Sequence, residues 1–243
     1  MTGQLRSELL KQRSTSTTLY LFLAMVGLVA LAVAMHVLAL STSGLSTHTH
    51  QLEVFQVGTR AGMLFAGLVG ALAITAEIRY GTIRPTFLVS PRRGPVLAAK
   101  LTVGALAGMA FGLLAEGLMA AAATIGFSAR GIPNLLTASD YTRLLIGGAA
   151  AAALWSMLGV GVGALVRNQV GTLVGLCAWM FLVESVSSSF VPGAARFMPG
   201  GAGIILAGNE HKLSAGIAAL LLVLYATAAS AAGWLAALRR DVP

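Results

Sequence analysis

The chain has 243 residues, of which 57% are hydrophobic and only 10% are charged, and its mean hydropathy is +0.84. Soluble globular chains carry about 25% charged residues, so this composition excludes an ordinary soluble domain. The formal net charge of +8 indicates membrane topology and a match to anionic lipid headgroups. It does not indicate nucleic-acid binding, because no soluble basic domain is available to carry that function.

Residues 1–17 begin the chain with a short amphipathic segment. Leu5, Leu9 and Leu10 fall on one face of a helix, and charged residues surround them. A basic amphipathic helix that leads into a membrane span lies in the plane of the interface. We therefore expect an N-terminal interfacial helix, with a frayed positive tail that only sets topology as the alternative.

Six segments are long and apolar enough to cross a hydrocarbon core of about 30 Å. The second holds only about 16 apolar residues, so it must thin the bilayer, lie obliquely or extend back through Phe55. No Ala-x-Ala-type cleavage site follows closely on the first, which is therefore a retained span and not a signal peptide. These segments predict an all-α membrane protein with a single transmembrane domain over residues 1–243, whose spans cover 18–40, 60–76, 101–126, 144–166, 170–190 and 213–238.

The distribution of Lys and Arg predicts how the spans are oriented. Eleven of these residues lie in loops on the side of the two termini, and five lie on the other side. Cytoplasmic loops of membrane proteins are enriched in Lys and Arg. Both termini are therefore expected in the cytoplasm, with the protein crossing the plasma membrane several times.

Small residues recur every four positions in three of the spans. Such stripes let helix backbones approach closely in lipid, where no hydrophobic force drives helices together. They predict a tight bundle but identify no substrate. The stripes are Gly58, Gly62, Ala66 and Gly70; Gly104, Gly108 and Gly112, continued by Glu116; and Gly147, Ala151, Trp155, Gly159 and Gly163.

Few residues in the spans are candidates for chemistry. Glu116 and Glu184 are carboxylates inside apolar segments, where a charged group marks either a substrate pathway or a hydrogen bond that pins two helices together. His48 and His50 have only Glu53 beside them, too few ligands for a metal site. Cys177 lies within the fifth span and is interpreted as a small apolar filler.

Residues 191–212 form the longest loop on the side away from the termini. Their apolar residues are separated by prolines and glycines, which predicts either a short re-entrant helix or a plain surface loop.

Residues 77–100, with the sequence EIRYGTIRPTFLVSPRRGPVLAAK, form a basic island between the second and third spans. Gly81 allows a sharp break where the span ends, and Thr82 is suited to cap a short helix after it. Phe87 and Leu88 provide an apolar knob, with Arg84, Arg92 and Arg93 as a charged rim. Such a segment has the profile of a docking element for a soluble partner.

This stretch resembles the first cytoplasmic loop of ABC-2 type transporter permeases. The resemblance rests on the pattern E-x-x-x-G-T-x-R from Glu77 to Arg84, on Pro91 and Arg93, and on Lys100 at the start of the third span. A second match runs from Arg167 through Gly171 to Glu184, and later to Pro199. Together with the six spans, the chain resembles small bacterial members of the family, of the kind found in actinobacteria.

The resemblance implies six helices with a cytoplasmic coupling helix after the second span, and short helices before the sixth. It also implies a homodimer or heterodimer of permease subunits bound to two copies of a separate ATP-binding subunit. ATP would be bound by that partner, which fits a chain without a GxxxxGK[ST] phosphate loop, and the chain itself would be no enzyme and need no cofactor. Coupling to the ATPase would involve Glu77, Gly81, Thr82, Arg84, Phe87, Arg92 and Arg93.

The function expected from this resemblance is export of a hydrophobic or amphipathic compound, with a drug or antibiotic suggested by family frequency alone. Three alternatives remain open. They are a non-transporting immunity or sensor subunit, an intramembrane enzyme that uses Glu116 or Glu184, and a proton-coupled carrier, which two isolated carboxylates argue against.

Overall fold

The computed structural model describes residues 2–39, 45–82, 93–208 and 213–239, and within these ranges the chain forms helices and no strand. Six helical segments, one of which is composed of two helices joined by a π turn, are long and apolar enough to cross a membrane, which confirms the predicted all-α class. The helices are α1 (Thr2–Ser14), α2 (Ser16–Ala39), α3 (His48–Arg79), α4 (Arg93–Ala129), α5 (Ala138–Val166), α6 (Gln169–Ala178), α7 (Glu184–Phe190), α8 (Pro199–Leu206) and α9 (Ala215–Arg239).

The two ends of the bundle differ in their basic residues. The basic end, as we name it, carries α1, the start of α2, the loop between α3 and α4, and the link between α5 and α6, with Arg79, Arg93 and Arg167 among its residues. The opposite end carries the segment 130–137, the end of α7 and the short helix α8. Helices α3, α4 and α5 form the centre, and α9 packs on α5.

Small residues allow this close central packing. A Cβ added to Gly112 of α4 would lie 2.8 Å from Ala152 Cβ of α5, and one added to Gly108 would lie 2.6 Å from the Ala152 carbonyl oxygen. Gly62 of α3 approaches the backbone of Gly112 in the same way. The stripes expected from the sequence therefore form the contacts among α3, α4 and α5.

The second span is much longer than the apolar segment 60–76 and begins at His48. Thr47 caps its start by accepting a hydrogen bond from the His50 N–H. Of the three ways in which this span was expected to cross the membrane, backward extension through Phe55 is the one present. The polar residues in the extension are accommodated because protein surrounds them: Gln51 is fully buried and Gln56 is 5% exposed.

The fifth span is interrupted by one turn of π-helix at Trp179–Val183, between α6 and α7. It begins sharply, because Arg167 adopts a left-handed conformation with φ 57° and Asn168 then accepts a hydrogen bond from the Gly171 N–H. Only 17% of its most apolar stretch is buried within the chain. This span is therefore peripheral, and its apolar side chains face outward.

The loop 191–212 contains a 3₁₀ turn at Ala194–Phe197 and then the helix α8. Most of α8 is buried, and Gly147 of α5 lies directly against its carboxyl end at Leu206. A short helix is thus present before the sixth span, and it packs on α3, α5 and α9.

Candidate functional site

The basic loop leaves the bundle between two fixed points. Glu77 lies in the last turn of α3, and Lys100 lies in the second turn of α4. Helix α3 ends at Arg79, and Gly81 then takes a left-handed φ of 70°, the backbone break for which a glycine was expected. Thr82 Oγ1 lies 3.5 Å from the Glu77 backbone oxygen.

The predicted coupling residues are only partly visible. Arg84, Phe87 and Arg92 lie outside the described residues, and Arg93 begins α4 with no description of its side chain. The docking role of the loop therefore stays a prediction. Its two stems, which are the end of α3 at Glu77 and the start of α4 at Lys100, can be described in detail.

Four charged side chains meet at these stems, and we call them the charge cluster: Glu8, Lys11, Glu77 and Lys100. Lys11 Nζ lies 2.9 Å from Glu8 Oε1 and 2.8 Å from Glu77 Oε1. Lys100 Nζ lies 2.9 Å from Glu8 Oε2 and 2.8 Å from the same oxygen of Glu77. The cluster thus joins α1 to both stems of the loop.

Three of the four members of the charge cluster are buried although they are charged. Lys100 is 2% exposed, Glu8 6% and Glu77 9%. Lys100 Nζ also donates a hydrogen bond of 3.0 Å to the Ala73 carbonyl oxygen, so two contacts hold Lys100 of α4 to α3. The negative charges of the two carboxylates are balanced by the positive charges of the two ammonium groups, and paired charges of this kind are tolerated away from water.

Lys11 is the member of the cluster that reaches the surface, with 44% of its side chain exposed. Burial alone would lower its pKa, but hydrogen bonds to Glu77 and Glu8 and the charges of both raise the pKa above its ordinary value of 10.5. Lys11 therefore stays charged at every physiological pH.

A cleft of about 530 Å³ opens beside the charge cluster. Its polar side includes Glu8, Lys11 and Glu77 together with four threonines, and its apolar wall is built by α2 and α3. The remaining lining residues are Gln12, Thr15, Thr17, Thr18, Leu21, Val69, Leu72, Ala73, Ala76, Tyr80, Thr82 and Gln169.

Glu116 lies at the centre of the bundle and is 1% exposed. Its Oε1 accepts a hydrogen bond from the Thr59 hydroxyl of α3, and it lies against Gly58 of α3 and Gly148 of α5. The carboxyl group therefore connects three helices, as a helix-pinning residue would, and it lines neither of the two clefts described here.

Glu184 follows directly on the π turn and is 9% exposed. Its Oε1 accepts hydrogen bonds from the Gly200 N–H at 2.7 Å and from Trp179 Nε1 at 3.2 Å, and its Oε2 accepts one from the Gly201 N–H at 3.1 Å. The carboxylate thus occupies the amino-terminal end of α8. It also borders a notch of about 170 Å³ that Arg60, Ser185 and Ser188 share.

The two histidines lie at the start of α3, and each contacts a different acidic residue. His48 Nε2 lies 3.0 Å from Asp140 Oδ2 of α5, and His50 Nδ1 lies 3.4 Å from Glu53 Oε2. The described part of the chain holds no group of three potential metal ligands.

Sequence reasoning missed Glu8 and Lys11 as partners of the loop. A signal was present: Glu8 is one of only eight acidic residues, and it lies three positions from Lys11 on a helix expected at the membrane surface. Its pairing with Lys100 spans 92 positions, which no local pattern contains.

Comparison with known proteins is consistent with this arrangement. The sequence profile described as ABC-2 family transporter protein matches residues 4–187, from α1 through the π turn into α7. No protein of curated function matches the sequence. The profile covers the charge cluster, both stems of the basic loop and five of the six spans, and the chain belongs to the ABC-2 transporter family.

Proposed function

We propose that the chain is the permease subunit that forms the membrane pathway of an ABC exporter, with ATP hydrolysed by a separate subunit. Family membership makes it a multi-pass membrane component of a transporter that associates with an ATP-binding subunit. The further steps concern orientation, stoichiometry, direction of transport and cargo.

The basic end is cytoplasmic in this proposal, and the protein lies in the plasma membrane. The count of eleven Lys and Arg residues against five supports this orientation. In this proposal, both termini and the loop between α3 and α4 lie in the compartment that contains ATP.

The charge cluster is the observation that carries the proposal. A loop that transmits force must be fixed at its base, and buried ion pairs join both stems of this loop to α1. Ordinary topology signals do not need such a base, because exposed flanking cations suffice to orient a span. We therefore assign the segment beyond Gly81 as the contact with the ATPase.

Two permease copies, identical or paired with a second permease, bind two ATPase copies in the proposed complex. The fifth span packs little on the described residues of the chain, which leaves its surface available to a second permease as well as to lipid. The cargo is a hydrophobic or amphipathic compound, with a drug or antibiotic as the first class to test.

The alternative of an intramembrane enzyme is less well supported. Hydrogen bonds occupy three of the roughly four acceptor sites of the Glu184 carboxylate, which leaves little room for it to act as a base, and Glu116 is sealed between helices. An immunity or sensor subunit would use the same bundle and differs only in whether it moves a compound.

The test of coupling uses Arg84→Glu and Gly81→Val in the full chain, produced with its cognate ATPase. Reversing charge at a seated contact costs about 2–5 kcal/mol, enough to weaken association more than tenfold. Valine at Gly81 is strained because φ is 70° there. We expect both variants to insert normally but to lose ATPase co-purification and substrate-stimulated ATP hydrolysis.

Ala121→Val, at an exposed position of α4, is the matched control for a change in size away from the loop. Wild-type co-purification and wild-type coupled hydrolysis in both loop variants would remove the support for this proposal. ATP hydrolysis by the pure chain alone would contradict the assignment of catalysis to a separate subunit.

A further inference from the structure

The cleft beside the charge cluster contains an acceptor without a donor. Glu77 Oε1 accepts a hydrogen bond from Lys11 and is ion-paired with Lys100, whereas Glu77 Oε2 is buried and has no hydrogen-bond partner among the described residues. Leaving a buried polar atom unpaired is unfavourable, and such an atom in a native protein calls for an explanation by a ligand or an ordered water. Glu77 lines the cleft, and because Oε2 itself is closed off, a rotation of the carboxylate is what brings this oxygen to a molecule bound there.

The shape of the cleft fits an amphiphile. Its volume of about 530 Å³ lies within the usual range for small-molecule sites. Val69 and Glu77 both line it and are eight residues apart on α3, so the cleft extends about 12 Å along the helix axis. Leu21 and Leu72 complete the apolar wall at the level of Val69.

The polar end of the cleft lies at the height of a lipid headgroup. Thr17 and Thr18 line it at the start of the first membrane helix, and Tyr80, which is 71% exposed, stands where α3 ends. Tyrosine is enriched at this depth in membrane proteins. The cleft therefore runs from the interface into one leaflet, which is the inner leaflet in the orientation proposed above.

Charge narrows the class of headgroup. The cluster is neutral, so an added anion or cation alone would leave a net charge in a mostly buried site. Glu77 Oε2 needs an N–H or O–H donor, and an ammonium is the donor that also matches its charge, while the Lys11 ammonium lies at the same cleft and matches an anionic group on the same ligand. A zwitterion with a primary ammonium and a phosphate meets both needs without changing the net charge.

We infer that this cleft binds an inner-leaflet phospholipid whose headgroup carries a primary ammonium, with the ammonium donating to Glu77 and the acyl chains along Leu21, Val69 and Leu72. The bound lipid would complete the hydrogen bonding of the charge cluster. The stems of the basic loop would then be stabilised by lipid as well as by protein.

The test compares two lipids with the same phosphate and the same acyl chains, whose ammonium carries N–H donors in one and methyl groups in the other. The full-length protein is given equal amounts of phosphatidylethanolamine and phosphatidylcholine with identical acyl chains, and retained lipid is measured by native mass spectrometry. A hydrogen bond to a charged group accounts for a preference of about tenfold for phosphatidylethanolamine. Equal retention of the two lipids, or preferential retention of phosphatidylglycerol from a third arm, would overturn the inference.

Two variants and one control determine where the lipid binds. Ala76→Phe places a ring in the cleft and should abolish the preference, while Ala121→Phe, an exposed position on α4 that does not line the cleft, should preserve it. Glu77→Gln presents an amide in place of the carboxylate and should also lose the preference; if that variant fails to fold, the Phe pair decides. A preference unchanged in Ala76→Phe would show that the lipid binds elsewhere. Because no ATPase is present, the result does not depend on the proposal of export.

Discussion

The two ends of the bundle hold their connecting segments by different chemistry. At the basic end, side chains bind side chains, and four charges join three helices. At the opposite end, Gln51 and Glu184 bind backbone, although His48 and Asp140 also join two side chains there. Gln51 Nε2 donates to the carbonyl oxygens of Leu45 at 3.0 Å and Pro133 at 2.8 Å, and its Oε1 accepts from the Leu135 N–H at 2.9 Å.

Glu184 continues the pattern of the opposite end, since it accepts from the backbone N–H groups of Gly200 and Gly201. A contact to backbone fixes one position of a segment, because the backbone cannot rotate to find another partner. The buried ion pairs at the basic end instead fix side chains of three helices to one another. The comparison indicates that contacts at the basic end hold whole helices together, whereas contacts at the opposite end hold single segments of the chain in place.

The largest expected effect comes from removing one charge of the cluster. Lys100→Met leaves two buried carboxylates with one ammonium between them, and breaking a buried ion pair in this way costs about 3–5 kcal/mol of unfolding free energy. Thermal unfolding in detergent measures the loss. Arg79→Met is the control, because Arg79 is exposed and its bond to Gln169 is 3.3 Å long; its cost should stay below about 0.5 kcal/mol. A wild-type melting temperature for Lys100→Met would mean that the ion pairs do not hold the stems.

A smaller loss is expected from Glu184→Leu at the opposite end. The N–H groups of Gly200 and Gly201 then lack their acceptor, and a buried unsatisfied donor costs about 1–3 kcal/mol. Glu184→Gln keeps one carbonyl oxygen and should cost less than Glu184→Leu in the same melting assay. Ser188→Ala, at the same notch, is the control for a local polar change. Normal melting with altered export in Glu184→Gln would instead support a role for Glu184 in the substrate pathway.

The smallest effect is expected midway between the two ends. Glu116→Gln retains an oxygen that accepts from the Thr59 hydroxyl, so we expect the unfolding free energy to change by less than about 1 kcal/mol and transport to be kept. Transport by the reconstituted complex and melting of the variant are measured side by side. Loss of transport with normal melting would show that the charge or proton of Glu116 is used, and that the centre of the bundle is more than a passive connection between its ends.

Local sequence pattern was sufficient to predict the spans and the stripes of small residues along which they pack. Stretches of about 20 apolar residues identify spans, and the stripes of small residues at Gly62, Gly108 and Gly112 do lie where helices approach. The start of α3 was placed too late because hydropathy treats Gln51 and Gln56 as solvent-facing, whereas protein buries both. The π turn at Trp179–Val183 has no pattern of its own in the sequence.

The polar contacts were largely beyond prediction for a single physical reason. Thr59 and Glu116 are 57 positions apart, Lys11 and Glu77 are 66 apart, and His48 and Asp140 are 92 apart. Which side chains meet depends on the orientation of each helix about its own axis, and the stripes of small residues set that orientation only approximately. Glu77 was singled out for coupling to the ATPase, which stays a prediction, and Lys11 and Glu8, the members of its charge cluster on α1, were not identified from the sequence.

The order of the packed elements along the chain has a consequence for synthesis. The charge cluster is complete once residue 100 has been made, and the three central helices end at Val166. The first 166 of the 243 residues, which include the charge cluster and the three central helices, are therefore synthesised before α8 and α9 exist. The later spans are added to a bundle that is already formed, and Glu184 receives its N–H donors only when the chain returns with Gly200 and Gly201. A ribosome pausing after Val166 would leave a stable intermediate in the bilayer, whereas one pausing before Lys100 would leave Glu8 and Glu77 with Lys11 as their sole cation from the cluster.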